Sequence, residues 1–307
     1  MENFRVMQLG RWQSVDKPHI EMESIEFLKR FVPWNNLRYL SLQEISRITE
    51  LPETIGKLTS LLILNLRACH NLERLPPGIG YLKELTHLDV SGCYLLDHLP
   101  RGIRSLLQLQ VLKGFVMGNS RSKDPCKLSD LVRLKKLRKL SITIGQESVH
   151  VPGEVYKLQE FKALTSLTIT WGIAEPTKPK EPTLTEPTEP TKPNLTIPAL
   201  TFPQQLEKLD IRAFPLKTVP EWLSGPKLPG LKRLYIRGGK LVSLERIGSQ
   251  TVQVLRLRFL KELSVEWKRL QDMFSSLGYL EVKECPILLK EKFKGALDSD
   301  GVWRKEY

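Results

Sequence analysis

A leucine pattern with a constant period constrains the fold of this chain more than any other feature. The motif Leu-x-x-Leu-x-Leu begins at Leu37 and at Leu61, and closely similar copies begin at Leu85 and Leu109. Each start lies 24 residues after the one before. A second motif, Leu-Pro-x-x-Ile-x-x-Leu, lies between these copies and begins at Leu51, Leu75 and Leu99. Two motifs that keep one register over several copies indicate a structural repeat.

The spacing inside each copy indicates how one repeat folds. Alternate leucines of Leu-x-x-Leu-x-Leu can point from a short strand into a core, and the proline of the second motif ends that strand because it has no N–H to donate. Ile55 and Leu58 are three residues apart, so a helical or 3₁₀ turn can bury both. One repeat cannot bury its apolar face alone, so the copies must stack. The sequence therefore predicts an α/β leucine-rich-repeat solenoid, a horseshoe with a parallel concave sheet and about ten irregular repeats of 24–28 residues.

Later copies are less regular. They begin at Leu137, Leu164, Leu206 and Leu231, and the third of these starts follows the second by 42 residues. An earlier strand is predicted at Phe4-x-x-Met7-x-Leu9. Two registers remain open near the end of the chain: a strand that begins at Leu260, only 17 residues before Leu277, or one that begins at Val252, 25 residues before it.

The long step of 42 residues coincides with a change in composition. Residues 175–198 contain Glu-Pro-Thr four times and almost no apolar side chain, which predicts an extended polyproline-like loop, disordered and inserted in the solenoid. It is either an arm that binds a partner or a tolerated insertion. The predicted organisation is a solenoid over residues 1–289 with this insertion, followed by a polar C-terminal cap and tail at 290–307.

Signs of chemistry are absent from the sequence. There is no phosphate-binding loop, no nucleophile elbow and no metal-ligand spacing among the five histidines and four cysteines. Cys69 and Cys93 share one repeat register, so we expect inner ladder residues rather than a redox pair. No apolar stretch approaches the roughly 20 residues that span a bilayer, and the start lacks the apolar core of a signal peptide. We expect a cytoplasmic protein that is not an enzyme, has no cofactor and no transmembrane segment, and reaches the plasma membrane only through partners.

Charge is concentrated in two windows of the chain. The formal charge is +13, of which residues 101–150 contribute +8 and residues 201–250 contribute +5. The basic run Arg133–Lys139 has no aromatic residue within it, so nucleic-acid binding is not expected.

The predicted strand register also identifies the side chains on the concave face. Arg and Tyr are enriched in binding hot spots, and these types meet on two adjacent predicted strands. The candidate protein-binding residues are Lys208, Arg212, Arg233, Tyr235 and Arg237, with Lys139 on an earlier predicted strand and Trp171 just past the end of another. The alternatives are a solvated basic face without a partner and, for Trp171, packing against a neighbouring repeat.

The motifs together resemble one family. Leu-Pro-x-x-Ile-Gly-x-Leu, combined with the run from Leu61 to Leu72, is similar to plant intracellular nucleotide-binding leucine-rich-repeat (NLR) disease resistance proteins. Short stretches are similar to the coiled-coil subgroup that includes the HopZ-activated resistance protein; they are Leu112-Lys-Gly-Phe115, Cys126-Lys-Leu-Ser129, Leu137-Arg-Lys-Leu140, Trp222-Leu-Ser-x-x-Lys-Leu-Pro229 and Gly301-Val-Trp303.

This resemblance implies the C-terminal leucine-rich-repeat domain of an immune receptor. In that family the domain senses pathogen effectors, directly or through a guarded host receptor-like cytoplasmic kinase or pseudokinase, and it contributes to autoinhibition. The sequence departs from the family pattern, because we expect neither a coiled-coil nor a nucleotide-binding domain within these 307 residues; both would be partners within a full-length parent receptor. The alternative is a general intracellular leucine-rich-repeat scaffold for signalling proteins.

Overall fold

A computed structural model describes residues 4–9, 34–117, 124–145, 155–172 and 200–305. The predicted insertion at 175–198 lies outside these residues. Twelve strands follow one another along the described chain, and each is hydrogen-bonded to the next in sequence. The strands are β1 Val6–Gln8, β2 Tyr39–Ser41, β3 Ile63–Asn65, β4 His87–Asp89, β5 Val111–Met117, β6 Lys139–Ile144, β7 Ser166–Trp171, β8 Lys208–Phe214, β9 Arg233–Gly239, β10 Val254–Arg258, β11 Tyr279–Lys283 and β12 Val302–Arg304.

Strands β1 to β11 are parallel, and β12 pairs antiparallel with β11. The described chain therefore has eleven parallel strands where the sequence predicted about ten repeats. Equivalent leucines of successive motifs are direct neighbours across the sheet, as in Leu40, Leu64 and Leu88. These side chains are fully buried. The period of 24 residues is therefore the number of residues between equivalent core leucines on adjacent strands. The molecule is a leucine-rich-repeat solenoid.

Short helical turns connect the strands. The α-helices are α1 Leu128–Leu131 and α2 Trp267–Met273; 3₁₀ turns cover Glu53–Lys57, Pro77–Tyr81, Arg101–Ser105, Val155–Glu160, Glu221–Leu223 and Gly225–Lys227, and a π-helical turn covers Leu288–Lys292. Within the described residues, no helix is long and apolar enough to cross a membrane.

The second sequence motif forms the first three of the 3₁₀ turns. Its proline precedes each turn in an extended conformation, and its isoleucine is buried. The glycine after the isoleucine allows neighbouring turns to approach closely. A Cβ atom added at Gly56 would lie 2.6 Å from the carbonyl oxygen of Gly78 in the next turn. The motif Leu-Pro-x-x-Ile-Gly thus encodes both the turn and its stacking.

A left-handed residue marks the end of most strands. It occurs seven residues after the first apolar residue of the motif and has a positive φ in several repeats: Glu44, Ala68, Gly92, Ala213, Gly238, Phe259 and Glu284. Ala213 and Gly238 lie inside β8 and β9, one residue before each strand ends. The corresponding residues of β6 and β7, Ile144 and Trp171, end their strands without a positive φ. The strand length therefore varies from repeat to repeat.

The structure also decides between the two registers near the end of the chain. β10 belongs to the series that begins at Val252, and it pairs in register with β9 and β11. Leu260 and Leu263, which begin the competing series, are buried in the segment that leads to α2. Both series are core residues, but only the first one forms a strand.

Aromatic packing connects the last residues to the solenoid. The Trp303 ring on β12 lies 5.3 Å from the Trp267 ring of α2, and the Phe293 ring lies at the same distance from Trp267 on another side. The division of the chain at residues 289 and 290 falls within the π-helical turn and stays a prediction.

Two of the buried cysteines form a ladder between repeats, as their shared register predicts. The Cys69 thiol donates to the carbonyl oxygen of Leu42 at 3.0 Å, and the Cys93 thiol donates to that of Leu66 at 3.1 Å. Burial is the main cause that raises the pKa of each thiol to about 12. Both thiols therefore remain protonated at physiological pH, and thiolate chemistry is suppressed.

This ladder predicts a specific loss of stability at alkaline pH. Thiols of the unfolded chain ionise near pH 8.5–9, whereas those in the fold retain their protons, so the free energy of unfolding falls as pH rises above about 9. At pH 10.5 each thiol should cost about 2 kcal/mol. Urea unfolding of the wild type and of Cys69→Ala/Cys93→Ala at pH 8 and 10.5 separates this cost from other titrations. The wild type should lose more stability than the variant; equal losses would contradict the ladder.

Candidate functional site

The concave side of β8 to β11 carries a surface rich in arginine. Alternate side chains on these strands point into the core, as Leu209 and Ile211 do on β8, so the residues between them form the opposite face. We call this surface the basic strand face. It consists of Lys208, Asp210, Arg212, Arg233, Tyr235, Arg237, Val254, Arg256, Arg258, Tyr279, Glu281 and Lys283.

The sheet register arranges these residues in rows across the strands. Asp210, Tyr235, Arg256 and Glu281 are successive neighbours in one row. Arg212, Arg237 and Arg258 are neighbours in the next, which we call the arginine row. Adjacent strands are about 4.8 Å apart, so three guanidinium groups project from the sheet side by side.

A buried carboxylate holds one end of the arginine row. Glu281 is only 4% exposed. Its Oε2 lies 3.1 Å from Nε of Arg256, and its Oε1 accepts a hydrogen bond of 2.8 Å from Nε of Arg258. Lys283 adds a more distant ion pair at 3.9 Å. A carboxylate at this depth requires such partners. In return its hydrogen bonds fix the guanidinium group of Arg258, whereas Arg256 forms an ion pair without a hydrogen bond from its Nε within the described residues.

A second carboxylate holds the other end. Asp210 is 7% exposed, and its Oδ2 accepts hydrogen bonds from Nη2 of Arg212 at 2.7 Å and from Nε at 3.1 Å. Charge-assisted pairs of this kind are stronger than neutral hydrogen bonds. The outer guanidinium groups of the row are therefore ordered before any partner arrives.

Tyr235 lies between two cations in the neighbouring row. Nζ of Lys208 is 4.4 Å from the centroid of its ring, and Cζ of Arg256 is 4.8 Å from the same centroid. Burial lowers the pKa of Lys208, as do the nearby arginines, and Asp210 opposes this shift. Cation–π contacts on the ring restrict Tyr235, so an aromatic side chain is presented in a defined position.

Arg237, at the centre of the arginine row, has a different environment. Among the described residues no carboxylate pairs with it, and its recorded contact is with the ring of Phe259, 5.1 Å from Cζ to the centroid. It lines a cavity of about 240 Å³ together with both outer arginines, Lys208 and Arg256. The centre of the row is thus a cation that the described chain leaves without an anion.

The structure brings together five of the seven candidate residues from the sequence. Lys208, Arg212, Arg233, Tyr235 and Arg237 all lie on β8 and β9. Arg233 is at the rim, where its Nη2 lies 3.5 Å from Oε2 of Glu207.

A sixth candidate, Lys139, lies on β6, level with Ser166 and Lys208. It lines a second cavity of about 550 Å³ with Lys208, Arg212 and Arg233. This cavity extends the basic strand face toward β6.

Trp171, the seventh candidate, does not lie on the concave face, so its placement there was wrong. Its side chain is 4% exposed and meets the Phe214 ring edge to face at 5.1 Å. The physical reason is the length of β7. The strand continues to Trp171, so the alternation that buries Leu167 and Ile169 buries Trp171 as well. The indole is a core residue beside β8.

Three residues that shape this surface were not among the seven candidates: Arg256, Arg258 and Glu281, the last of which the predicted register had placed at an exposed position. Arg256 and Arg258 were not predicted because the sequence left two registers open, one from Val252 and one from Leu260. The Val252 register alone would have placed both arginines on the exposed face. The burial of Glu281 has no signal in the sequence, since it depends on arginines from β10.

The concave face at the other end of the solenoid has a more balanced charge. Asp89 pairs with Lys113 on the next strand at 2.8 Å, and Nδ2 of Asn65 donates to Oε1 of Gln43 at 3.0 Å. Burial lowers the pKa of His87, with smaller contributions from Lys139 and Lys113, so this histidine is neutral at pH 7. Across the described residues no group of three His, Cys, Asp or Glu side chains could hold a metal ion.

Several known proteins resemble this chain. The curated protein "Disease resistance RPP13-like protein 4" from Arabidopsis thaliana is 31% identical over 211 residues, which is 66% of this chain and 22% of that protein. This chain therefore spans about a fifth of the length of that relative.

Solved structures show a more distant likeness. An internalin (InlF) from Listeria monocytogenes aligns over 83% of this chain and 64% of its own with 18% identity and a TM-score of 0.49. The plant peptide hormone receptor RGFR1, in complex with RGF2, aligns over 83% and 45% with 16% identity and a TM-score of 0.41. The family model described as "Leucine-rich repeat region" matches residues 2–292. A match over nearly the whole chain shows that this protein belongs to the leucine-rich repeat family.

Proposed function

We propose that this chain is the protein-recognition domain of a plant immune receptor of the NLR class, in the coiled-coil subgroup that includes the HopZ-activated resistance protein. It senses pathogen effectors directly or through a guarded host receptor-like cytoplasmic kinase or pseudokinase. The similarity to a curated disease resistance protein supports the immune role. The observation that carries protein recognition is the basic strand face, where ordered arginine and tyrosine side chains surround Arg237, a cation that no carboxylate of the described residues pairs with.

Physical properties of this surface favour a protein partner. Arg and Tyr are enriched in binding hot spots because they combine large contact area with hydrogen bonding. Asp210 and Glu281 already restrict three of the arginines, so little side-chain entropy is left to lose on binding. An excess of positive charge also accelerates the encounter with an acidic partner.

The proposal includes a second role for the solenoid within a parent receptor. There it would pack on the nucleotide-binding domain and contribute to autoinhibition, with the coiled-coil domain as a further partner. This role rests on the family resemblance. It also implies a cytoplasmic location, and partners would bring the domain to the plasma membrane.

Charge reversal on β9 should abolish partner capture. We expect Arg233→Glu/Arg237→Glu to reduce proximity labelling of the partner at least about tenfold, because about 1.4 kcal/mol of lost attraction suffices for that change. The chain fused to a biotin ligase is expressed in leaves with and without pathogen, and labelled proteins are quantified by mass spectrometry. Lys57→Glu/Arg74→Glu, which makes the same charge change away from the strand face, is the matched control and should label as the wild type does.

The labelled proteins themselves distinguish the candidate functions. A pathogen protein or a host kinase that depends on Arg233 and Arg237 supports the sensor role. Signalling proteins that are labelled equally with and without infection would support the general scaffold instead. Identical labelling by the wild type and the β9 variant would show that the basic strand face is not the capture surface.

A further inference from the structure

The arginine row surrounds a site with a large excess of positive charge. Five cationic side chains line its cavity of about 240 Å³, and the carboxylates that face them are Asp210 in the lining and Glu281 beside it. Among the described residues, three positive charges of the site are therefore not neutralised. Like charges held this close repel one another, so an anion placed among them would be strongly favoured.

The donors of the row are arranged for one anion with several oxygen atoms. A guanidinium group has five N–H donors in a planar fork. Arg212 directs Nε and Nη2 to Asp210, and Arg258 directs the same two atoms to Glu281. This leaves Nη1 of both outer arginines without a hydrogen bond among the described residues, where the guanidinium of Arg237 has no carboxylate partner either. Three guanidinium groups from three adjacent strands therefore line one cavity.

Phe259 extends the site beyond the strands. This residue directly follows β10 and has a φ of 57°, a conformation that is costly for a bulky side chain. Other repeats place either a glycine, as at Gly92 and Gly238, or a residue smaller or more polar than phenylalanine at this left-handed position; the latter are Glu44, Ala68, Ala213 and Glu284. The ring is nevertheless 45% exposed, so the core gains little from it. The left-handed turn belongs to the repeat, and the exposed aromatic ring is what distinguishes Phe259.

An apolar cavity begins at the same ring. Phe259, Cys285, Pro286 and Leu289 line a space of about 410 Å³ beyond the ends of β10 and β11. The Phe259 ring also contacts Arg237, so the anion site and the apolar cavity meet at this side chain.

We propose that the basic strand face binds a phosphorylated side chain of a protein partner at the arginine row, with a neighbouring apolar side chain of that partner in the cavity beside Phe259. A phosphoryl group has a charge near −2 and three strong acceptor oxygens, which matches an excess of three charges and three guanidinium forks. A single carboxylate has one charge and two oxygens. The inference deepens the proposed function, because it names the chemical class of the ligand at the same surface.

A degenerate peptide library tests this ligand class with the full chain. One library has a fixed central phosphoserine, a second has serine at that position and a third has glutamate. We expect the chain to retain the phosphoserine library at least tenfold better than either of the others, and retained peptides should be enriched in an apolar residue at one fixed distance from the phosphoserine. Equal retention of the glutamate library, or no preference for phosphoserine, would overturn the proposal.

Two variants assign the two halves of the site. Arg237→Gln keeps the pairs made by Asp210 and Glu281 and should lower phosphopeptide binding at least tenfold. Phe259→Gly relieves the left-handed backbone, so the fold is retained, and it should abolish the apolar preference while phosphate-dependent retention persists. Arg74→Gln, on an exposed ion pair outside the strands, is the matched control. Unchanged binding by Arg237→Gln, or an unchanged apolar preference in Phe259→Gly, would contradict the assignment.

The peptide experiment needs no plant tissue and no pathogen, so its outcome is separate from that of the proposed function. Phosphopeptide binding without an immune partner in the labelling experiment would remove the immune role and keep the ligand class. An immune partner that depends on Arg237, combined with no phosphopeptide binding, would keep the immune role and remove the ligand class.

Discussion

Replacement of Trp171 by alanine is expected to lower the free energy of unfolding by about 3–5 kcal/mol, the usual cost of truncating a large buried aromatic residue. Trp171 contacts Phe214 edge to face, Phe214 lies 6.4 Å from Trp222, and Trp222 lies 5.9 Å from Phe202 between ring centroids. These four rings join β7 to β8 and to the turn after it. Each repeat in a solenoid is stabilised by its neighbours. A cavity at this position therefore weakens the packing between β7 and β8, which join the strands β1 to β7 to the strands β8 to β12.

Urea unfolding followed by circular dichroism measures this effect without relying on tryptophan fluorescence. Trp171→Phe keeps an aromatic ring at the site and should cost clearly less than the alanine change. Partner labelling, measured under conditions where the variant is folded, should be unchanged because the side chain does not reach the concave surface. An unfolding midpoint equal to that of the wild type, combined with lost labelling, would instead place Trp171 on the binding face.

The regular repeats show what a sequence of this kind can predict. From Leu37 to Leu112, leucine recurs at a fixed period, and the core side of each strand is therefore defined without knowledge of the fold. Prolines and isoleucines of the second motif likewise predict the turns that connect these strands. The register of β2 to β5 and the first three 3₁₀ turns follow directly.

The end of the chain shows where this reasoning stops. Leu255 and Leu257 belong to one candidate series, and Leu260 and Leu263 belong to the other, yet all four are buried. An apolar pattern reports burial, and burial does not require a strand. The choice depends on how β10 pairs with its neighbours, which involves residues more than 20 positions away.

Trp171 was misplaced for a related reason. After β3 the chain turns at Ala68, which has a left-handed conformation. At the corresponding position β7 is still an extended strand. One additional pair of strand residues decides whether that side chain is inside or outside. β7 pairs with β6 as far as Trp171, and this pairing between repeats cannot be read from one repeat alone.

The candidate site was also predictable from the sequence only in part. Arginine and tyrosine at exposed strand positions were visible in the sequence, and five of them are neighbours in the structure. The sequence did not show that these side chains are held in fixed positions. That property depends on carboxylates that are buried only when arginines from adjacent strands cover them. Glu281 on β11 is the clearest example, since its partners Arg256 and Arg258 come from β10.

The central claim is that the basic strand face captures the partner, and a matched pair of tyrosines tests it most directly. Tyr235 lies in the middle of this face, and Tyr81 lies on a 3₁₀ turn and is 68% exposed. The photo-crosslinking residue p-benzoylphenylalanine is introduced at one position or the other. Each purified chain is then irradiated in extract from infected leaves, and covalent adducts are identified by mass spectrometry.

Accessibility alone would favour adducts at Tyr81. We predict the opposite: a discrete protein adduct from position 235 that is lost when Arg237 is replaced by glutamate, and none from position 81. Adducts from position 81 without any from position 235 would contradict the claim that the basic strand face is the binding surface.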